Sequence, residues 1–171
     1  FNVASGAMMV LVAGLIFVLA FLFSPKDGVV WKFIKKRKIV YSTRVEDYLT
    51  AIYRISNGSN SAEVSAVAKS VGENESKAYS MLNRLTKQGL IDSKSKNLFG
   101  FTQKGLEKAS FMIKAHRLWE SYLVGKADMP AESVHELAHK LEHVTTEDIA
   151  EEIIKELKHP TKDPHGKVIP K

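Results

Sequence analysis

The stretch SAEVSAVAKSVGENESKAYSMLNRLTKQ (residues 61–88) decides the fold of the middle of this chain. Apolar residues recur at helical spacing over residues 64–71, which predicts a helix that starts at the first residue of the stretch and ends at Gly72. Asn74 can cap a longer helix that runs to about Gln88. Helices joined by a tight turn that contains glycine are typical of a helix-turn-helix motif.

The outer side of the longer helix carries polar and basic side chains that suit contact with DNA. Hydroxyl, amide, ammonium and guanidinium groups can donate hydrogen bonds to base edges or phosphates in a major groove. The candidate DNA-binding residues on this helix are Ser76, Lys77, Tyr79, Ser80, Asn83 and Arg84. A three-helix bundle that binds no DNA would show the same pattern, so this alternative stays open at the level of the pattern.

A short β-hairpin is predicted after this helix. Ile91 leads into the polar turn 92–97, and residues 98–101 are again mostly apolar. Lys94 and Lys96 lie at the tip of the hairpin, as in the wing of a winged helix. Basic residues at such a position contact the DNA backbone, so both lysines are also candidate DNA-binding residues.

Helices are also predicted on both sides of the motif. The preceding helix covers residues 44–56, with Thr43 or Ser42 as its cap. Downstream, Thr102 can cap a long helix over residues 103–124. Much of this long helix is apolar, which indicates that it lies in a core or forms an oligomer interface.

Composition excludes several classes of protein. The chain has 171 residues and no cysteine, which rules out disulfides, cysteine-based zinc ribbons and cysteine nucleophiles. Its formal net charge is +6, and residues 1–44 carry seven Lys or Arg against one Asp. Residues 45–171 carry eighteen charges of each sign. The balanced charge of this larger part predicts weak non-specific binding to DNA.

Residues 3–23 (VASGAMMVLVAGLIFVLAFLF) form an uncharged apolar run of 21 residues. This length predicts a transmembrane helix, and the basic residues after it predict that the rest of the chain faces the cytoplasm. A signal peptide is the rival interpretation, but no basic region precedes the run, and the run is too long. Because the chain begins with Phe1, we expect a longer protein. The expected localisation is the inner (cytoplasmic) membrane, or the cytoplasm after cleavage between about Lys26 and Arg44.

A second informative stretch is VHELAHKLEHV (residues 134–144), which we predict to be helical. Four candidate metal ligands share one face of this helix: His135, His139, Glu142 and His143. A separate apolar stripe consists of Val134, Leu137, Ala138, Leu141 and Val144. His116 and Glu120 form another pair at i, i+4. Imidazole with carboxylate suits Mn, Fe and Zn, although such residues are also common on solvated helix faces.

Four motifs together resemble the diphtheria-toxin-repressor family, the metal-dependent DtxR/MntR transcriptional regulators. The motifs are VEDYLTAIY (45–53), AHRLWE (115–120), HKLEH (139–143) and DPHG (163–166). The resemblance covers about residues 43–170. It implies a winged helix-turn-helix domain that binds operator DNA as a homodimer, and an all-α metal-binding and dimerisation domain.

By position, the resemblance implies two neighbouring metal sites. The main site would consist of Asp47, His139, Glu142 and His143. The second site would consist of His116, Glu120 and His135. His139 occupies a position that is often Cys or Glu in the family, and Thr50 stands where manganese-responsive members have a carboxylate. Asp47 is a hard ligand and favours Mn(II), followed by Fe(II), with Zn(II) as a third candidate.

The N-terminal segment resembles the last span of a metal ABC-transporter permease of the manganese/zinc/iron type. The matching residues lie in ASGA (4–7) and FSPKDG (23–28). The resemblance implies a permease–repressor fusion that contacts the membrane through residues 3–23. Its further partners would be the ABC-transporter ATPase and solute-binding subunits.

The sequence thus predicts a mainly α protein with four segments. They are a transmembrane helix (1–24), a basic juxtamembrane linker (25–43), a winged helix-turn-helix domain (44–104) and a metal-binding and dimerisation domain (105–171). The expected function is metal-dependent repression of metal-uptake genes, without enzymatic activity. Two alternatives stay open. One is a cytoplasmic metal-sensing gate of the permease that binds no DNA, and the other is a metalloenzyme, although the sequence shows no HExxH motif and no nucleophile.

Overall fold

The computed structural model describes residues 5–25, 28–56 and 61–170, and the chain divides into two compact units, Phe1–Thr43 and Arg44–Lys171. The helices among these residues are α1 (Ser5–Phe23), α2 (Val29–Ser56), α3 (Val64–Val71), α4 (Glu75–Lys87), α5 (Gln103–Gly125), α6 (His135–Glu142) and α7 (Glu147–Glu156), with a short 3-10 helix at Ala131–Ser133. The strands are β1 (Ser61–Glu63), β2 (Ile91–Ser95) and β3 (Leu98–Phe101). The prediction of a mainly α protein is confirmed.

The predicted transmembrane helix is not found. Helix α1 begins at Ser5 and has 19 residues. No helix in residues 5–25, 28–56 and 61–170 is long and apolar enough to cross a membrane. The predicted span over residues 3–23 and the membrane localisation inferred from this span are therefore wrong. Residues 3 and 4 of the span lie outside the described residues.

Helix α2 begins at Val29, well before the predicted start at Arg44. Residues 29–56 contain neither glycine nor proline, so the backbone has no break near Ser42 or Thr43. Neither residue caps the helix, and residues 29–43 are helical where a linker was expected. The later turns of α2 bury one side, which includes Val45, Tyr48, Leu49, Ala51 and Ile52.

Helices α3 and α4 form the predicted helix-turn-helix motif. Gly72 ends α3 in the left-handed conformation, with φ of 70°. The side-chain oxygen of Asn74 accepts a hydrogen bond from the Lys77 backbone N–H at 2.9 Å, which confirms the predicted cap of α4. The helix predicted from Ser61 is wrong in its first three residues, because β1 pairs there with β3.

Strands β2 and β3 form the predicted wing hairpin, and β1 extends it to an antiparallel sheet in the order β1-β3-β2. The base of the wing rests on the start of α5. Thr102 accepts a hydrogen bond from the Gly105 backbone N–H at 3.1 Å, as predicted for a cap, and donates to the Gly89 carbonyl at 2.8 Å. A Cβ atom at Gly105 would lie 1.7 Å from the Leu90 carbonyl oxygen, so this contact requires glycine.

Helices α5, α6 and α7 form the second half of the larger unit. One buried cluster consists of Leu118, Ala150, Ile153 and Ile169, and another of Leu123, Val134 and Ala138. The apolar stripe predicted around α6 is only partly buried, since Leu137 is 37% and Val144 67% exposed. Helix α6 ends at Glu142, so Val144 lies beyond it and does not face the core.

Candidate metal centres and DNA-binding surface

Three side chains from α2 and the end of α6 meet in what we call the main cluster: Asp47, His139 and His143. Asp47 Oδ1 lies 3.5 Å from His143 Nε2 and 3.7 Å from His139 Nε2. The cluster borders a cavity of about 280 Å³ that Thr50 also lines. The fold thus brings together one side chain of the helix-turn-helix half and two side chains of the other half.

The main cluster fits a divalent metal ion. Asp47 Oδ1 and His143 Nε2 are buried and have no hydrogen-bond partner among the described residues. Buried polar atoms without a partner are rare in proteins, because desolvation without a hydrogen bond is costly. A carboxylate oxygen and an imidazole nitrogen are both ligands that Mn, Fe and Zn accept. The Thr50 hydroxyl is likewise buried without a partner.

Glu142 was expected in the main site but lies deeper than its other members. Only 1% of its side chain is exposed. One carboxylate oxygen lies 2.9 Å from His139 Nδ1, and the other lies 2.5 Å from His116 Nδ1. The oxygen that contacts His139, Oε1, also lies 3.9 Å from His143 Nε2. Glu142 therefore lies between the two predicted sites and contacts a histidine of each.

The second cluster consists of His116 and Glu120 on α5 and His135 at the start of α6. Three of its atoms, His116 Nε2, Glu120 Oε1 and His135 Nδ1, lie 3.1 Å from one another. If two ligand atoms each lie about 2.0–2.2 Å from a metal ion, and the ligand–metal–ligand angle is about 90°, the two atoms are about 3 Å apart. The three atoms thus have the spacing of adjacent ligands around one ion, so the second predicted site is brought together completely.

Electrostatics favour the charged form of Glu120 in the second cluster. Burial raises the pKa of Glu120, but hydrogen bonds with His116 and His135 outweigh burial and lower it to about 2. Burial lowers the pKa of His116, whereas its contacts with Glu120 and Glu142 raise it more. Positive charge at this position therefore stabilises the Glu120 carboxylate, and a metal ion would supply such charge.

The pKa of His143 in the main cluster is raised to about 9, first by Asp47 and then by Glu46, against the effect of burial. Glu46 was not predicted as a site residue. Its Oε2 lies 2.8 Å from His143 Nδ1, and its Oε1 lies 3.2 Å from Lys108 Nζ. The signal in the sequence was the acidic pair at positions 46 and 47, of which only Asp47 was assigned.

The C-terminal turn contributes a further group that was not assigned, namely Asp163 and His165 beside Glu120. Asp163 Oδ1 accepts hydrogen bonds from the backbone N–H groups of His165 and Lys167, both at 2.9 Å. Its Oδ2 is buried without a hydrogen-bond partner among the described residues and lies 3.8 Å from Arg117 Nε. His165 Nδ1 lies 3.8 Å from Glu120 Oε2. These residues could extend the second cluster, and the motif DPHG was the signal for them.

The candidate DNA-binding residues of α4 lie on its outer side. Asn83 is half-buried, and the exposed members are Ser76, Lys77, Tyr79, Ser80 and Arg84. The Tyr79 ring packs edge-on against Phe99 of the wing, with centroids 6.0 Å apart. Lys94 on β2 and Lys96 in the turn after it are both exposed. The helix and the wing therefore both expose basic or polar side chains, and they contact each other through Tyr79 and Phe99.

The fold and these clusters define a winged helix-turn-helix domain joined to a helical domain with two histidine–carboxylate clusters. Residues 41–97 match the family model "Iron dependent repressor, N-terminal DNA binding domain". Residues 102–171 match "Iron dependent repressor, metal binding and dimerisation domain". The two matches cover about three quarters of the chain. The chain belongs to this family of metal-dependent transcriptional repressors, the DtxR/MntR type.

Solved structures show the same fold. The chain is 30% identical to a manganese-dependent transcriptional repressor in complex with manganese, with a TM-score of 0.67 over 74% of this chain and 58% of that one. It is 29% identical to the repressor ScaR with bound Zn²⁺, with a TM-score of 0.65 over 74% of this chain and 59% of the other. The prediction of manganese or iron, with zinc as a third candidate, is confirmed at the level of the family.

The curated relatives are described as metal or manganese transport system membrane proteins. The chain is 40% identical over 174 residues to a "Probable metal transport system membrane protein" of Chlamydia pneumoniae, which covers 97% of this chain and 38% of the relative. The chain thus spans less than half the length of this curated relative.

The family and the fold are those of regulatory repressors, which are generally not enzymes. Operator DNA and a homodimer are consistent with this family.

Proposed function

We propose that this metal-dependent repressor turns off metal-uptake genes when Mn(II) or Fe(II) is plentiful, with Zn(II) as the third candidate ion. The observation that carries the proposal is the main cluster, in which Asp47 of α2 meets His139 and His143. The DNA-binding domain would cover residues 44–104, and the metal-binding and dimerisation domain residues 105–171. One metal ion in the main cluster would thus connect the two domains.

Each cluster has its own role in this proposal. The regulatory metal would be bound by Asp47, His139 and His143, with Glu142 beside them. His116, Glu120 and His135 would bind a second ion. The metal supplies positive charge that holds several carboxylates and imidazoles close together. The chain's own contribution is to place Asp47 on α2, which donates hydrogen bonds from Arg44 and Tyr48 to Glu73 in the turn of the helix-turn-helix motif. Ligand positions and motif orientation would thus depend on each other.

Repression requires a defined spacing between two recognition helices. In a dimer the two α4 helices must lie roughly 34 Å apart to reach successive major grooves. Fixing the angle between α2 and α6 through the main cluster would favour the dimer geometry that meets this condition. By linkage, DNA would then raise metal affinity by the same factor as metal raises DNA affinity.

The relationship to metal transport extends the proposal. The Chlamydia relative is described as a metal transport protein, and its alignment includes the N-terminal part of this chain. We infer that the repressor is part of one polypeptide with a metal permease, whose ATPase and solute-binding subunits would be further partners. An antibody against residues 41–171 would then detect a product well above 19.1 kDa in cells. Detection of a 19.1 kDa product and of no larger product would contradict a single polypeptide with the permease.

A metal-sensing gate for transport without DNA binding is the second candidate. It is favoured by the same relative, whose description mentions transport and no DNA. Both candidates predict metal binding, and only repression predicts metal-dependent binding to a palindromic operator.

The test is a gel-shift titration of the 171-residue chain on duplexes selected from random DNA in the presence of Mn(II). Metal binding is measured in parallel by elemental analysis. Operator affinity should rise with Mn(II) or Fe(II) and fall when a chelator is added. Metal uptake without any change in DNA affinity would favour the gate, and the absence of both would contradict each candidate.

A further inference from the structure

The imidazole of His143 is contacted on both of its nitrogen atoms by neighbouring residues of α2. Glu46 Oε2 lies 2.8 Å from Nδ1, and Asp47 Oδ1 lies 3.5 Å from Nε2. The first distance is that of a good hydrogen bond, whereas the second is too long for one. One nitrogen is therefore held by a hydrogen bond, and the other faces the candidate metal position.

The same arrangement occurs at two other histidines. Nδ1 of His116 and Nδ1 of His139 each contact a Glu142 oxygen, at 2.5 and 2.9 Å, while the Nε2 atoms face the clusters. A histidine that binds a metal through one nitrogen usually donates its other N–H to a carboxylate, which fixes the tautomer and the ring orientation. For His143 this carboxylate is Glu46.

Glu46 is itself held in place by the opposite half of the larger unit. Its second oxygen, Oε1, lies 3.2 Å from Lys108 Nζ on α5, and its side chain is 12% exposed. Lys108 favours the charged form of Glu46, and a charged carboxylate is the stronger acceptor for an imidazole N–H. Glu46 thus contacts α5 through one oxygen and the residue after α6 through the other.

We propose that Glu46 is a positioning residue for the main cluster: it keeps the proton of His143 on Nδ1 and leaves Nε2 free to bind the metal. The inference rests on the proposed function, because it assigns a role within the metal site. Glu46 does not bind the ion. It links α2 to Lys108 on α5 and to His143 just after α6.

The test compares Mn(II) affinity at the main cluster in variants of the 171-residue chain. All variants carry His135→Ala, which weakens the second cluster and simplifies the titration. Glu46→Ala should lower the affinity by about 10- to 100-fold, the usual effect of removing such a partner. Glu46→Gln keeps an acceptor oxygen of the same reach and should recover most of the loss.

Glu73→Ala is the matched control. Glu73 also accepts hydrogen bonds within this unit, from Arg44 at 2.6 Å and from the Tyr48 hydroxyl at 3.0 Å, but it contacts no member of the main cluster. The Glu73→Ala substitution should lower the free energy of unfolding and leave the Mn(II) affinity unchanged. Equal losses of affinity in Glu73→Ala and Glu46→Ala would overturn the inference, because they would reflect general destabilisation.

A spectroscopic measurement tests the tautomer directly. In the zinc-loaded chain, ¹⁵N NMR of the histidine side chains should show a slowly exchanging Nδ1–H for His143, assigned by its absence in His143→Gln. Glu46→Ala should lose this signal, and Glu73→Ala should keep it. Wild-type affinity and an unchanged spectrum in Glu46→Ala would overturn the inference while the proposed function stands. Failure of the parent chain to take up Mn(II) or Zn(II) would overturn both.

Discussion

The two candidate metal clusters differ in the spacing of their atoms and in the domains that supply them. The atoms of the second cluster lie 3.1 Å from one another, on two helices of the same domain. The main-cluster distances that involve Asp47 are 3.5 and 3.7 Å, and Asp47 belongs to the other domain. The second site therefore lies within one domain, whereas the geometry of the main site depends on how two domains are placed relative to each other.

This difference separates two roles. A site that is already formed gains affinity, because little has to be rearranged on binding. A site that closes on binding can shift an equilibrium between two conformations, since the ion then binds one of them better. The second cluster is therefore suited to holding a metal, and the main cluster is suited to reporting its concentration to the DNA-binding helix.

The strongest test removes His143, which contacts α2 from the main cluster. His143→Ala should abolish the effect of Mn(II) on operator affinity, an effect expected to be about 5- to 150-fold for an allosteric coupling of this kind. Gel-shift titrations with and without Mn(II) measure it. His159→Asn, at a tail residue with φ of 59° that asparagine tolerates, should respond as the wild type does. A normal response of His143→Ala would refute the regulatory role.

The corresponding change in the second cluster should separate affinity from response. His135→Ala removes one of three converging atoms and should weaken one of two metal equivalents by at least about 10-fold. Calorimetric titration with Mn(II) resolves the two binding steps. The metal response of operator binding should persist, and its loss to the extent seen in His143→Ala would show that the clusters do not differ in role.

A change in the recognition helix should leave both clusters intact. Arg84 is exposed on α4, far along the chain from every predicted ligand. Arg84→Ala should weaken operator binding by about 10-fold, within the range for one contact to a base or phosphate. The same calorimetric titration should give unchanged metal affinities. A loss of metal affinity would mean that α4 takes part in the clusters.

The smallest effect concerns the pH dependence of the metal-free main cluster. The pKa of His143 is about 9, above its ordinary value of 6.5. Its stabilising contribution is therefore complete below about pH 6.5 and is lost as the pH rises through 9. Urea unfolding with a chelator present should show a larger fall in stability between pH 6.5 and 9 for the wild type than for His143→Gln. An equal fall in both would contradict the assignment.

Much of the fold could be predicted because it depends on local chemistry. Asn74 and Thr102 were identified as caps from residue type and position alone. Strand β1 was missed, because Ser-Ala-Glu has no alternating pattern and becomes extended only by pairing with β3. The start of α2 was missed because the polar residues near Arg44 resembled a helix cap, although nothing there interrupts the backbone.

The candidate site was predictable where the spacing along a helix determines which residues meet. His116 and Glu120 are one turn apart on α5, and the structure brings them together as expected. The deeper position of Glu142 follows from the packing of α6 on α5, which sequence periodicity does not describe. Asp163 lies beside Glu120. The tail that carries Asp163 has no periodicity, so only the DPHG motif indicated this residue.

The close approach at Gly105 has a consequence for how this molecule can move. The Leu90 carbonyl sits against the first turn of α5 where no side chain fits, so the base of the wing lies in direct backbone contact with this helix. His116 follows eleven residues later on the same helix, about 16 Å along its axis. Movement of the wing base towards α5 is therefore blocked by the backbone itself, and the helix that it meets is the one that carries His116 and Glu120 of the second cluster.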